Sequence, residues 1–216
     1  MFRSFPYWNI LLSFILAIFI LLMAKITVQY LALETDVGFL KIKQWVIDNS
    51  IWRTAFFIHV FSSIFLLTAG FTQFYNPYQI KFKKVHRSVG RAYIVIILFI
   101  SAPSVLIMSV YANGGFFSQT AFVTLSTLWI YFTWRGYKEA RKKDFIQHGN
   151  FMMRSYALTL SALTLRAWKY ILVMFFHPHP MNTYMFVAWL GWVPNLILAE
   201  WLIHHGLTSK ILKPSK

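Results

Sequence analysis

The sequence predicts an all-α integral membrane bundle of six transmembrane helices with both termini cytoplasmic. Three observations lead there. Of 216 residues, 58% are hydrophobic and only 12% are charged, against about a quarter charged in a soluble domain. Six apolar stretches are each long enough to cross the hydrocarbon core as a helix, which takes about 20 residues. Finally, 15 of the 21 Lys and Arg residues fall on one side of the six-span arrangement, the asymmetry that marks a cytoplasmic face.

The spans are expected near residues 8–31, 53–75, 89–111, 119–137, 151–176 and 184–203 of a single transmembrane domain, 1–216. A helix satisfies its backbone hydrogen bonds within the segment, which lipid demands. The first stretch reads as a retained helix, because its apolar run exceeds a signal core and no A-x-A-like site follows. Residues 33–52 make the one long outer loop. There Phe39, Leu40, Ile42, Trp45, Val46 and Ile47 alternate with Lys41, Lys43, Gln44 and Asp48, the pattern of a short helix lying on the outer surface. Pro103 and Pro194 fall mid-span, where proline either kinks a helix or is tolerated. The outer connections 112–118 and 177–183 are tight and leave no room for an extramembrane catalytic domain. The basic face carries Arg3, the run Lys81–Arg91, the run Arg135–Arg154, and Lys210, Lys213 and Lys216. That face is expected to be the cytoplasmic side of the membrane.

The formal net charge is +15. In a soluble protein this would suggest nucleic acid. Here the basic residues cluster between apolar runs, so the partner expected is the lipid bilayer, with no nucleic acid. Cys is absent, which excludes disulfides, iron–sulfur clusters and thiolate catalysis. Sequence motifs of soluble catalysis are missing as well: no P-loop, G-x-S-x-G, H-E-x-x-H or Rossmann fingerprint occurs.

Attention therefore falls on ionisable residues inside the spans, which are costly in lipid. His59 continues along one face of its helix as Ser62, Ser63, Leu66, Gly70 and Gln73, a small and polar stripe that points into a bundle. It either lines a ligand site or hydrogen-bonds a neighbouring helix. A second stripe runs from His148 through Met152, Ser155, Thr159 and Ala162 to Arg166. Arg166 needs an anionic or strongly polar partner, such as a propionate, a quinone carbonyl or a lipid phosphate, unless it snorkels outward beside Lys169. Glu200 is the one acidic residue inside a predicted span. It either pairs with Arg91 or Arg154 or sits beside a metal-ligating histidine such as His204. A weak internal repeat also appears. His86, Arg91 and Tyr93 follow Lys83-Lys84, and His148, Arg154 and Tyr156 follow Lys142-Lys143. Each copy sits where a basic loop turns into an outward-running helix, the pattern of a parallel duplication.

The segments His86-Arg87-Ser88-Val89-Gly90-Arg91-Ala92-Tyr93 and His148-Gly149-Asn150-Phe151-Met152-Met153-Arg154-Ser155-Tyr156-Ala157-Leu158, with Leu165-Arg166 beyond and His59 upstream, resemble an uncharacterised bacterial family of predicted multipass membrane proteins. That resemblance implies topology and no activity. A looser likeness is to six-helix transmembrane cytochromes b of the ascorbate-reductase type, which hold two haems with His ligands on helices 2 to 5. It implies haem b, with His86 and His148 as an axial pair and His59 as an outer ligand or quinone contact. Arg91, Arg154 and Arg166 would hold propionates or other anionic groups. The fourth predicted helix carries no His, so an outer bis-His site lacks a second ligand.

Three functions follow as expectations. The first is a membrane redox protein moving electrons between a quinol or small reductant and a partner. The second is a non-redox transporter or lipid-binding protein with a cavity of His59, Gln73, Arg166 and Asn195. The third is a hydrolase or hydroxylase with a metal near His86, His148, His204 and Glu200, although the H-x-x-H-H clusters of membrane di-iron enzymes are missing.

Overall fold

The computed structural model describes residues 6–74 and 82–212, and every regular element among them is helical. The helices are α1 (Pro6–Val28), α2 (Ser50–Phe74), α3 (Lys83–Val110), α4 (Gly115–Arg141), α5 (Phe145–Thr159), α6 (Ser161–Phe176), α7 (Pro180–Leu190), α8 (Val193–His204) and α9 (Leu207–Leu212). Among the described residues three spans are long and apolar enough to cross a membrane: α2, α3 and the α7–α8 stretch Pro180–His204. The α5–α6 pair, bent by 41°, is a fourth if it counts as one span. The described apolar stretch Phe14–Val28 of α1 falls short in length. α4, at 27 residues, falls short in apolarity, because Ser118, Gln119, Thr120, Thr124, Ser126, Thr127 and Thr133 interrupt it. Both chain ends, Arg3, Lys81, Lys213 and Lys216 lie outside the described residues.

The outer faces of these helices are apolar. Phe99, Phe116, Tyr170 and Phe176 are 72% or more exposed. Such a continuous apolar exterior marks a surface whose solvent is not water.

Where helices begin and break, local chemistry explains it. Asp144 caps α5 by accepting from Gln147 N at 3.0 Å, the usual work of an aspartate at that position. Pro103 has no amide hydrogen to give the Phe99 carbonyl, and α3 widens just there into a π turn over Ile97–Ser101. Pro194 does not kink a helix. It stands in the first turn of α8, where a missing amide hydrogen costs nothing. The sixth expected span is thereby two helices, and so is the fifth, which breaks at Leu160. Asn195 Nδ2 donates to the Ala157 carbonyl just before that break at 3.1 Å and to Thr164 Oγ1 at 2.9 Å. Broken helices inside a membrane persist where neighbouring side chains serve the backbone in this way. On the adjacent face, Arg154 grips Glu200 through two bonds, Nε to Oε1 at 2.5 Å and a second guanidinium nitrogen to Oε2 at 2.7 Å. Glu200 thus has the cationic partner on another helix that an acid in a span requires.

The segment between α1 and α2 forms only a small part of the short helix expected there. Only Gly38–Ile42 is helical, as a 3-10 turn. Leu40, Val46, Ile47 and Trp52 turn inward as a small core with Tyr30 and Phe56, while Ile42 and Trp45 stay exposed. Lys43, expected on the polar face, is 2% exposed. Its amine donates to the Tyr111 carbonyl at the end of α3 and to Asn113 Oδ1, and it lies within 5.9 Å of the Phe39, Trp45 and Trp52 ring centres. Burial lowers this amine from 10.5 to about 8. Between those values the unfolded chain holds a proton that the folded chain has released, so raising the pH there favours the folded state; below about 8 both states hold it and the penalty is constant. In detergent, the thermal midpoint of the wild type should therefore rise from about pH 8 to pH 10.5 relative to Lys43→Met. Parallel curves for the two proteins would refute this.

Candidate functional site

The two polar stripes face each other across the bundle, and two cavities form between them. One, of about 380 Å³, lies at the basic end. His86, Arg87 and Lys83 of α3, His148, Gly149 and Met152 of α5, and Thr208 of α9 all line it. The other, of about 150 Å³, lies further along the same helices. It takes its polar wall from His59 and Ser63 of α2, Thr159 of α5, and Ser161 and Arg166 of α6, and its apolar wall from Leu66, Val105, Phe122 and Trp129 among others.

Helical periodicity explains who lines what. Along α2, His59, Ser63 and Leu66 reach one cavity and Gln73 the other, with Gly70 between. Along α5–α6, His148 and Met152 reach one, Thr159, Ala162 and Arg166 the other. The bend at Leu160 does not remove Arg166 from its stripe. The repeat resolves in the same terms. In each copy the His and the Tyr line the larger cavity, at spacings of seven and eight residues, near two whole turns. The Arg of each copy sits five or six residues after its His, about 140° and 240° around the helix. Arg91 is accordingly exposed, and Arg154 turns to Glu200 and stacks on Phe132 and Phe151. Neither reaches the cavity; Lys83 and Arg87 supply the positive charge there instead.

His148 Nδ1 is 2.8 Å from the Gly136 carbonyl, and His86 Nδ1 faces the Thr72 carbonyl at a long 3.5 Å. Nδ1 so engaged carries the proton, and Nε2 is the nitrogen left for a ligand. Thr208 Oγ1 is buried in the same wall with no partner among the described residues. His59 Nδ1 lies 3.3 Å from Ser101 Oγ, which the π turn of α3 turns toward it. Arg166 spends one donor on its own helix, at the Ala162 carbonyl, 2.6 Å away. No carboxylate is paired with it among the described residues.

Other candidate groupings do not assemble. Gln73 lines one cavity, His59 and Arg166 the other, and Asn195 neither, so the single transport cavity expected from them is divided. His204 is exposed, its ring against that of His205, and Glu200 is committed to Arg154. Among the described residues no group of three or more His, Cys, Asp or Glu is placed to hold a metal ion.

Sequence reasoning missed the wall between the cavities. Tyr93 Oη meets Ser155 Oγ at 3.2 Å and Thr159 Oγ1 at 2.8 Å. Trp129 Nε1 donates to Thr159 Oγ1 at 3.2 Å, and Thr133 Oγ1 meets Ser155 Oγ at 2.7 Å. Beside them Tyr156 donates to the Leu67 carbonyl at 2.8 Å, its ring lying against Gly70. The signal was present, since both tyrosines belong to the repeat. A Cβ on Gly70 would stand 2.0 Å from Tyr156 Oη, so the tyrosine would have to leave both its carbonyl and its place. Gly70→Ala should cost about 3 kcal/mol, from overpacking and a lost buried bond together. An unchanged unfolding midpoint by tryptophan fluorescence in detergent would refute it.

A family model described as "Predicted membrane protein (DUF2306)" matches residues 56–203. That stretch covers more than half of the chain and holds every lining residue of the two cavities except Thr208, and the chain belongs to this family of membrane proteins. No curated protein and no solved structure matches the chain.

Proposed function

We propose that this family member is a six-span protein of the bacterial inner membrane that binds haem b at its basic end and passes electrons between a quinol or small reductant and a partner. The topology is supported by charge. Lys83 and Arg87 line the larger cavity beside His148, which meets the Gly136 carbonyl next to Arg135, and Arg3, Lys81, Lys213 and Lys216 fall on the same side in the six-span reading of the sequence. With α1 and α4 counted as spans beside the apolar helices, both termini and both basic segments face the cytoplasm.

The observation that carries the haem reading is that His86 and His148, from two helices, line one cavity with each Nδ1 turned to a backbone carbonyl. The residues fit such a group. Two imidazoles offer Nε2, Phe74, Met152 and Met153 offer apolar walls, and Lys83 and Arg87 stand where carboxylates would meet charge. When bound, haem supplies a one-electron iron couple. The protein's part is to fix both imidazole tautomers through the Gly136 and Thr72 carbonyls and to exclude water with Tyr93 and Tyr156. In the second cavity, His59 and Arg166 would bind the oxygen of a quinol or small reductant, and His59 would take its proton.

Protein purified in detergent from haem-replete cells should show the absorption bands of a low-spin haem. His86→Ala or His148→Ala should abolish or strongly shift them, and His205→Ala should leave them intact. A colourless wild type would overturn the reading. Reporter fusions after Lys84 and Lys142 should be active only as cytoplasmic reporters; periplasmic activity at either would reverse the topology.

A further inference from the structure

We propose that the hydroxyls between the cavities are a proton relay, in which Tyr93 and Thr159 carry protons across the bundle from one cavity to the other. The proposal rests on the six-span reading but not on haem.

Continuity comes first. Tyr93 lines the His86–His148 cavity and Thr159 lines the His59–Arg166 cavity. Their oxygens are 2.8 Å apart, so one hydrogen bond joins the two spaces. Reversibility comes second. In one arrangement Tyr93 donates to Thr159, and Thr159 donates to the Ser155 carbonyl at 3.1 Å. In the other, Thr159 donates to Tyr93, Tyr93 donates to Ser155 Oγ, and Ser155 donates to Thr133, which has the Trp129 carbonyl at 2.7 Å. Trp129 Nε1 donates to Thr159 in both. Every hydroxyl is bonded in either state, so the reset by rotation strands no buried polar group, the costly outcome in a medium without water.

Selectivity comes third. Tyr93 is 1% exposed, and Ser155 and Thr133 are fully buried, so the wall passes no hydrated ion. Proton acceptors stand on both sides, His86 and His148 in one cavity and His59 in the other. The smaller cavity, of about 150 Å³, is walled mostly by apolar side chains, and Ser63, Ser161 and Arg166 are the polar groups beside Thr159 and His59 that a water between them would bond. In the step itself, a proton from imidazolium or water bonds to Tyr93 Oη as the phenol's own proton moves to Thr159 Oγ1. The Thr159 proton first swings from the Ser155 carbonyl, which keeps its bond within the helix, toward the smaller cavity, and leaves there to water. One O–H bond forms and one breaks at each oxygen, and no charge remains behind.

A network that only glues helices together would hold the fold and pass nothing. The test is proton entry into proteoliposomes carrying a trapped pH-sensitive dye, driven by a valinomycin potassium potential. Wild-type vesicles should acidify faster than protein-free ones. Tyr93→Phe and Thr159→Val should slow the protein-dependent rate by about a hundredfold, the scale of losing one positioned proton-transfer group. Thr159→Ser, which keeps the hydroxyl, should retain the rate even if Tyr93→Phe folds poorly. Wild-type vesicles no faster than protein-free ones, or Thr159→Val equal to wild type, would overturn the relay. Protein stripped from the vesicles by alkaline carbonate would overturn the six-span reading and the relay with it.

Discussion

A polar group inside this bundle is costly unless it finds a partner there, and the hydroxyl cluster at Tyr93 is where that demand is met most densely. Tyr93 comes from α3, Trp129 and Thr133 from α4, and Ser155 and Thr159 from α5. Close by, Tyr156 ties α5 to the backbone of α2 at Leu67. Hydrophobic attraction does little to hold helices together in lipid, so such bonds and close packing at small residues carry the specificity. The cluster locks the depth at which four helices cross. That in turn fixes how far each polar stripe extends on either side, and so divides one interior groove into two cavities.

The break between α5 and α6 belongs to the same economy. A straight helix from His148 to Arg166 would present one unbroken face. The structure bends instead at Leu160, and Asn195 and Thr164 bond to the backbone around the bend and at Gly191. The π turn of α3 is the counterpart on the other side. Pro103 forces the irregularity, and the widened turn aims Ser101 at His59. Irregular helices thus occur beside the smaller cavity, where polar side chains serve the loosened backbone.

At the opposite end Lys43 performs a comparable task for the segment between α1 and α2. It reaches the carbonyl that ends α3, a position where the helix dipole favours positive charge, inside a ring of Phe39, Trp45 and Trp52. The segment is held against the bundle by this buried amine together with the small core of Leu40, Val46, Ile47 and Trp52 on Tyr30 and Phe56.

Composition and charge alone determined that this is a helical membrane protein, because the bilayer tolerates so few backbone structures and so few charges. Spacing determined the two stripes: His59 to Gln73 and His148 to Arg166 each keep their angular order whatever the helices do next. The same spacing contained the warning that Arg91 and Arg154 lie on the wrong side of their helices. Tertiary structure alone decided which helix faces meet. Pairings such as Tyr93 with Thr159 and Lys43 with Tyr111 join residues 66 and 68 positions apart, and nothing in local periodicity encodes them. Nor could the sequence tell one groove from two cavities. That depended on a tyrosine ring filling the space that Gly70 leaves open, a contact made only when α5 packs against α2.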